Sequence, residues 1–411
     1  MYKKRAITAR LRELVKHFRI VVVTGARQVG KSTLLKHEFG DISDYVLFDP
    51  LIDKENARRE PELFLKNHRT PVILDEIQYA PEITSVLKRI VDEDKTPGQY
   101  LLTGSQQWAV IKNMAESLAG RAVFLDLDSF SLSELADDVA STSWLEDWLT
   151  DPKAFLTSPK KARGSEMLLG EQLFRGFFPE PQTVPISLVP NFYQAYVETY
   201  LERDVRAMAD LNNLQTFSYF MQLAAALSAQ EINFSTLGRE LGLSPLTAKH
   251  WISILESTFQ WVTIPAFSGN VLKRVSLKRK GYFTDTGLLC HLQALSSPRA
   301  LPGHPLWGAI FETAVVAEIR KMSHAMGTAP IMYHWRKHSG AEVDLILERD
   351  GVLFPIEIKA STRIETPDAR GISSFREAYP HLKIGPGLVI APVEKMYPIT
   401  ATDYAMPWDC A

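Results

Sequence analysis

Residues 20–39 constrain this chain more than any others. The apolar run Ile20-Val-Val-Val-Thr24 passes directly into Gly25-Ala26-Arg27-Gln28-Val29-Gly30-Lys31-Ser32, and a helical pattern follows at once. A strand that delivers a Gly-x-x-x-x-Gly-Lys-Ser loop to a helix N-terminus belongs in a parallel sheet with helices on both faces. Gly25 and Gly30 let the backbone curl until its amides face a phosphate. Lys31 would then reach the terminal phosphates, Ser32 would hold magnesium, and Thr33 would touch the α-phosphate, all at the positive end of the helix. The ligand specified is ATP, or a close nucleoside triphosphate, with Mg2+.

The other half of such a site is an acid at the C-terminal end of a second buried strand. Val72-Ile-Leu-Asp75-Glu76 supplies it, with Asp75 assigned to magnesium and Glu76 to the attacking water as general base. This doublet implies hydrolysis as well as binding. Tyr100-Leu-Leu-Thr103 opens into Gly104-Ser105-Gln106, where a polar group would sense the γ-phosphate or simply cap a helix. Arg121, ahead of the run 122–127, is either an arginine finger, in cis or from a neighbouring copy in a homo-oligomer, or an ordinary surface arginine.

At 411 residues the chain exceeds one ordinary core and calls for several domains. A net charge of −2 provides no global attraction to nucleic acid, so DNA contact would have to come from a local basic patch. The two cysteines, Cys290 and Cys410, exclude a disulfide framework and a cysteine-based zinc site. Apolar runs are strand-length, so no membrane span is expected and the compartment read from the sequence is cytoplasmic.

Beyond residue 230, Ser235-Thr-Leu-Gly-Arg-Glu-Leu-Gly242 and Ser244-Pro-Leu-Thr-Ala-Lys-His-Trp-Ile-Ser-Ile-Leu255 read as a helix-turn-helix, the second helix opened by a serine cap and an N-terminal proline. Leu237, Leu241, Leu246, Ile252 and Leu255 are expected in its core, with Thr247, Lys249 and His250 facing outward toward a DNA groove or a protein. Lys273-Arg274 and Lys278-Arg-Lys280 read as a basic wing or as a solvated loop.

The last part alternates at period two. Glu342-Val-Asp344-Leu-Ile-Leu347, a turn at Asp350-Gly351, and Pro355-Ile-Glu357-Ile-Lys359 form a hairpin. Acids placed among aliphatics need a cation or an ion pair. Asp344 and Glu357, with the carbonyl of Ile358, offer oxygen ligands to Mg2+ or Mn2+, and Lys359 would orient or deprotonate water. Glu312, beside the apolar stripe of its own helix, would face the same site. Ahead of the hairpin, Tyr333-His-Trp-Arg336-Lys-His338 would grip phosphate, stack bases, or pack structurally.

The segments Gly25 to Ser32, Leu74-Asp-Glu-Ile-Gln78, Leu102-Thr-Gly-Ser105, Leu118-Ala-Gly-Arg121, Tyr200-Leu-Glu-Arg-Asp-Val205 and Phe283-Thr-Asp-Thr-Gly287 resemble prokaryotic AAA-type P-loop ATPases with a C-terminal DUF4143-like domain. Glu312, Gly340-Ala-Glu-Val-Asp344 and Glu357-Ile-Lys359 resemble the restriction-endonuclease-like PD-(D/E)XK superfamily. The resemblance implies an α/β fold with four parts: a P-loop parallel-sheet core (1–135), a helical lid and linker (136–220), a winged helix-turn-helix (221–300) and a restriction-endonuclease-like α/β domain (301–411). The stretch 141–166 is longer and more polar than that pattern expects. Two functions remain open. One is a Mg-dependent ATPase coupled to DNA binding and metal-dependent cleavage; the other is an ATP-controlled switch or scaffold whose inactive nuclease-like domain recognises DNA or a protein partner.

Overall fold

The computed structural model describes residues 2–48, 51–105, 118–140, 142–158, 160–164, 167–206, 214–270, 274, 278–337 and 340–410. The chain forms two compact units, residues 1–130 with 257–259, and residues 131–256 with 260–411.

The first unit is built on a parallel five-stranded sheet in the order β2-β3-β4-β1-β5. Its strands are β1 Ile20–Thr24, β2 Asp44–Leu47, β3 Val72–Asp75, β4 Tyr100–Gly104 and β5 Ala122–Asp126. β1 is buried along its whole length, as a β-branched run covered on both faces must be. The helix Ile83–Glu93 buries Ile83, Leu87 and Val91, a stripe at four-residue spacing, against this sheet's core. From β1 the chain crosses to β2 on one side, and from β4 it crosses to β5 on the other. That divergence opens a crevice beyond the C-terminal ends of β1 and β4, where ligands of such sheets sit.

The second unit contains two sheets. The smaller is antiparallel, in the order β6-β8-β7, from β6 Gln230–Glu231, β7 Trp261–Ile264 and β8 Lys280–Phe283. Between β6 and β7 lie the helices Phe234–Arg239 and Pro245–Ser257. The second helix buries Ala248, Trp251, Ile252 and Leu255. Leu246, expected in that core, is instead 77% exposed, because two residues before Ala248 places it about 200° around the helix from the buried stripe. Lys249 and His250 are exposed as expected.

The larger sheet is mixed, in the order β14-β15-β13-β11-β10-β9 with β12 beside β11. Its strands are β9 Ile331–Arg336, β10 Glu342–Arg349, β11 Val352–Ile358, β12 Lys383–Ile384, β13 Gly387–Ala391, β14 Tyr397–Pro398 and β15 Asp403–Pro407. β10 and β11 are the expected hairpin, joined through Asp350 and Gly351, both at positive φ as the twist-matching two-residue turn demands. Tyr333 and Trp335, considered above as base-stacking residues, are buried in the core beside β10, Trp335 packing edge-on against Phe375. His338 lies outside the described residues. In the segment read as lid and linker, Trp148 meets Phe354 edge-on at 5.2 Å, so that segment packs within the second unit.

Candidate functional site

The phosphate loop joins β1 to the helix Lys31–Phe39, and no side chain caps that helix N-terminus. The helix amides are therefore left facing the crevice. Gly25 has φ +150°, and a Cβ there would stand 2.1 Å from the carbonyl oxygen of Leu127, so both the dihedral and the space demand glycine. Ala26 and Val29 are buried, Arg27 donates to the Tyr79 hydroxyl at 3.2 Å, and Gln28 adopts φ +61°. Gly30 is at φ +97°. Lys31 is buried, with Nζ donating to the carbonyls of Gly25 (2.9 Å) and Ala26 (2.8 Å). Thr33 is exposed.

β3 brings Asp75 to the same edge. Ser32 Oγ donates to Asp75 Oδ1 at 2.9 Å, Thr103 donates to that same oxygen, and the Tyr45 hydroxyl donates to Asp75 Oδ2. Burial and then Asp75 push the Tyr45 phenol above its ordinary range, so it remains a donor. A hydroxyl and a carboxylate 2.9 Å apart, both hard oxygen donors beside uncapped amides, fit the magnesium salt of a nucleotide. Glu76 sits in the left-handed region at φ 58°, its N–H held by Thr103 Oγ1 at 2.9 Å. The Gln78 amide bonds the Glu76 carboxylate and also reaches Ser105 Oγ at 3.1 Å. Ser105 thus lies one side chain away from the proposed base. Gln106 lies outside the described residues.

Arg121 does not join this group. It precedes β5, whose first residue, Ala122, is level with Ile20, whereas the loop follows Thr24. Four residues of strand separate the two levels, about 13 Å at 3.3 Å per residue. The reading of Arg121 as a finger in cis is corrected accordingly; its guanidinium holds Asp92 in a paired contact at 2.7 and 2.8 Å.

Arg5 escaped the sequence reading. It is 4% exposed and lies beneath the loop, donating from Nη1 to the Val29 carbonyl (2.8 Å) and from Nη2 to that of Asp128 (2.6 Å), over the Phe130 ring. No local pattern marks such a residue, because its partners are up to 124 positions away. Arg5→Ala is expected to let the loop shift. A displacement of about 1 Å suffices to lower turnover about a hundredfold, and Arg5→Lys should recover only part of it, which kcat and KM for ATP will show.

In the second unit the hairpin and the helix Trp307–Ala325 bring Glu312, Asp344, Glu357 and Lys359 into one connected cluster. Asp344 Oδ2 accepts the Ile358 N–H at 2.9 Å, and Lys359 Nζ meets Glu357 Oε2 at 3.0 Å. Burial and then Asp344 drive Glu357 above the usual carboxylate range. The same two causes push Glu312 up to about 8, against the pull of Lys280.

Lys280 is the unexpected member. Expected as part of an exposed wing, it is 8% exposed, with Nζ 2.5 Å from Glu312 Oε1 and 3.3 Å from Asp344 Oδ1. Despite its burial, those two carboxylates hold the ammonium above its ordinary pKa. Arg274 likewise turns inward, to Tyr333 (3.0 Å) and Glu348 (3.2 Å). Of the described basic residues in that wing, only Lys278 and Arg279 are exposed, and Lys273 lies outside the described residues.

Comparison with known proteins matches residues 17–136 to the AAA domain family, 167–299 to a domain of unknown function (DUF8612) and 307–411 to a domain of unknown function (DUF4143). The chain thus carries an AAA-type P-loop domain in its first third and a DUF4143 domain at its C-terminal end. It is 27% identical over 410 residues to the uncharacterized protein Rv2008c of Mycobacterium tuberculosis and to Mb2031c of Mycobacterium bovis, spanning 100% of this chain and 84% of each relative. Among solved structures it is similar to a Walker-type ATPase of Pyrococcus abyssi (13% identity, TM-score 0.39, 71% of this chain and 96% of that one). It is also similar to the RuvB Holliday junction branch migration motor of Thermotoga maritima (12% identity, TM-score 0.30, 67% and 95%). No helix among the described residues is long and apolar enough to cross a membrane.

Proposed function

We propose that this protein is a magnesium-dependent ATPase whose nucleotide cycle governs recognition by its C-terminal half. The observation that supports hydrolysis is the placement of Asp75, Ser32 and Glu76 together at the mouth of an uncapped phosphate loop. The loop amides and Lys31 would bind and orient the phosphates, Lys31 exchanging its loop carbonyls for phosphate oxygens. Ser32 and Asp75 would hold the magnesium, which when bound neutralises charge developing on the phosphates. Glu76 would accept the proton of the attacking water, with Gln78 and Ser105 fixing where its carboxylate points.

DNA is the partner proposed for the outward face of the helix Pro245–Ser257, where Lys249 and His250 stand exposed beside the exposed Leu246. Of the two outputs, cleavage and recognition, Lys280 favours recognition: an ammonium already occupies the space between Glu312 and Asp344. Purified protein given ATP, Mg2+ or Mn2+, and several DNA forms, with phosphate release and strand breakage followed together, separates them. Phosphate release that requires Mg2+ and disappears in Lys31→Ala is expected, with the DNA left intact and its affinity changed by nucleotide. Equal DNA affinity in the nucleotide-free, ATP and ADP states would remove the switch reading.

A further inference from the structure

We propose that Lys280 is the resident cation of the C-terminal carboxylate cluster and bars a divalent metal from it. The inference rests on the recognition reading of this domain and gives it a physical cause.

Each carboxylate of the cluster already has a partner. Lys280 Nζ sits between Glu312 Oε1 and Asp344 Oδ1, at 2.5 and 3.3 Å. The Tyr282 hydroxyl donates to that same Glu312 oxygen at 2.7 Å. The second oxygen of Asp344 accepts the Ile358 N–H at 2.9 Å, and Glu357 is engaged by Lys359 at 3.0 Å. A hard divalent cation takes six or more oxygen donors with lone pairs turned toward it. Here the two nearest carboxylates are turned toward an ammonium, and among the described residues no group of three or more His, Cys, Asp or Glu side chains is arranged to hold a metal ion.

The arrangement is encoded in β8. Lys280 and Tyr282 are two residues apart on one strand and so share a face, and both reach Glu312. β8 is itself fixed: it is the central strand of its sheet, and Gly281 between the two is packed so tightly that a Cβ would stand 2.0 Å from the Trp261 ring. The ammonium therefore occupies its position through a rigid strand, not through a wandering surface side chain. Access is not what keeps a metal out, because a cavity of about 410 Å³ lined by Lys278, Lys280, Glu312, His334, Arg336 and Glu342 reaches this face of the cluster.

The full-length, nucleotide-free protein titrated with Mn2+ and read by electron paramagnetic resonance tests the proposal. Wild type and Asp344→Asn should bind Mn2+ identically. Lys280→Ala should gain one ion, bound at least about tenfold more tightly than wild type holds any there, a difference of about 1.4 kcal/mol. The gain should vanish when Asp344→Asn is added, and Lys280→Arg should behave as wild type. An ion bound by wild type and lost in Asp344→Asn would overturn the proposal, and that comparison needs no Lys280 variant to fold. A Lys280→Ala protein with native circular dichroism and no gained ion would overturn it as well. The titration contains no nucleotide, so its failure would leave the ATPase reading standing, and a protein inactive toward ATP would leave this result standing.

Discussion

Glu76→Gln is expected to lower ATP turnover by about 10² to 10⁴, the range that a positioned general base contributes, while nucleotide affinity stays within a few-fold of wild type. The two effects separate because different groups carry them. In the proposed reading, binding rests on the loop amides, Lys31 and Ser32, whose side chains bond Gly25, Ala26 and Asp75. The carboxylate instead meets Gln78, which Ser105 holds in turn, and the Glu76 backbone is kept in the left-handed region by the bond from its N–H to Thr103. That conformation is uncommon for a residue with a side chain and persists only where its surroundings fix it. Glutamine keeps the size and accepts the same backbone geometry, so a fall in phosphate release with fluorescent-nucleotide binding preserved assigns the effect to the lost charge. Turnover within a few-fold of wild type would reduce Glu76 to a turn residue.

The two sites differ in how far the sequence revealed them. The loop and Asp75 are legible because their chemistry is local: strand, loop and helix are contiguous, and an acid closing an apolar strand announces itself. The hairpin acids are legible for the same reason, since period two places Asp344 and Glu357 on faces that must be satisfied. Arg5 and Lys280 were missed because their meaning lies in partners far along the chain, Asp128 for one, Glu312 and Asp344 for the other. A basic residue beside other basic residues reads as solvated until topology shows the buried Asp344 and the half-buried Glu312 waiting for it. Leu246 failed differently: the helix was foreseen, but its phase was set by Ala248, Trp251 and Leu255 and carried Leu246 to the outside.

The fate of Lys280 changes what the C-terminal motif means. Glu312, Asp344, Glu357 and Lys359 do converge, as their spacing implied, yet convergence of acids is also what a buried ion-pair network requires. A strand from the smaller sheet supplies the extra positive charge, so the cluster joins the two sheets of the second unit. Fold and chemistry need not coincide in such a domain.

The recognised segment Phe283-Thr-Asp-Thr-Gly287 has a comparable explanation, and Asp285→Ala is expected to destabilise the second unit by about 3–5 kcal/mol, near the upper end for single substitutions. Asp285 is buried and caps the helix Thr286–Leu292 by accepting the Leu288 N–H at 3.0 Å. It also accepts the Phe177 N–H at 2.7 Å and the Tyr193 hydroxyl at 2.8 Å. Alanine would strand the two amides away from water, at about 1–3 kcal/mol each before any relaxation, and leave the Tyr193 hydroxyl only the Arg175 carbonyl. Gly287 belongs to the same joint, since a Cβ there would stand 2.2 Å from the Tyr193 oxygen. Burial raises the Asp285 carboxyl above its ordinary range against the pull of the Phe177 and Leu288 amides, so the side chain is held by its partners and not by solvent. Asp285→Asn keeps an acceptor and the size, and should recover part of the loss in urea unfolding followed by tryptophan fluorescence. A midpoint for Asp285→Ala that matches wild type would deny the joint its structural role. A large shift, with nucleotide binding by the first unit retained, would place this segment in the framework that carries the C-terminal half.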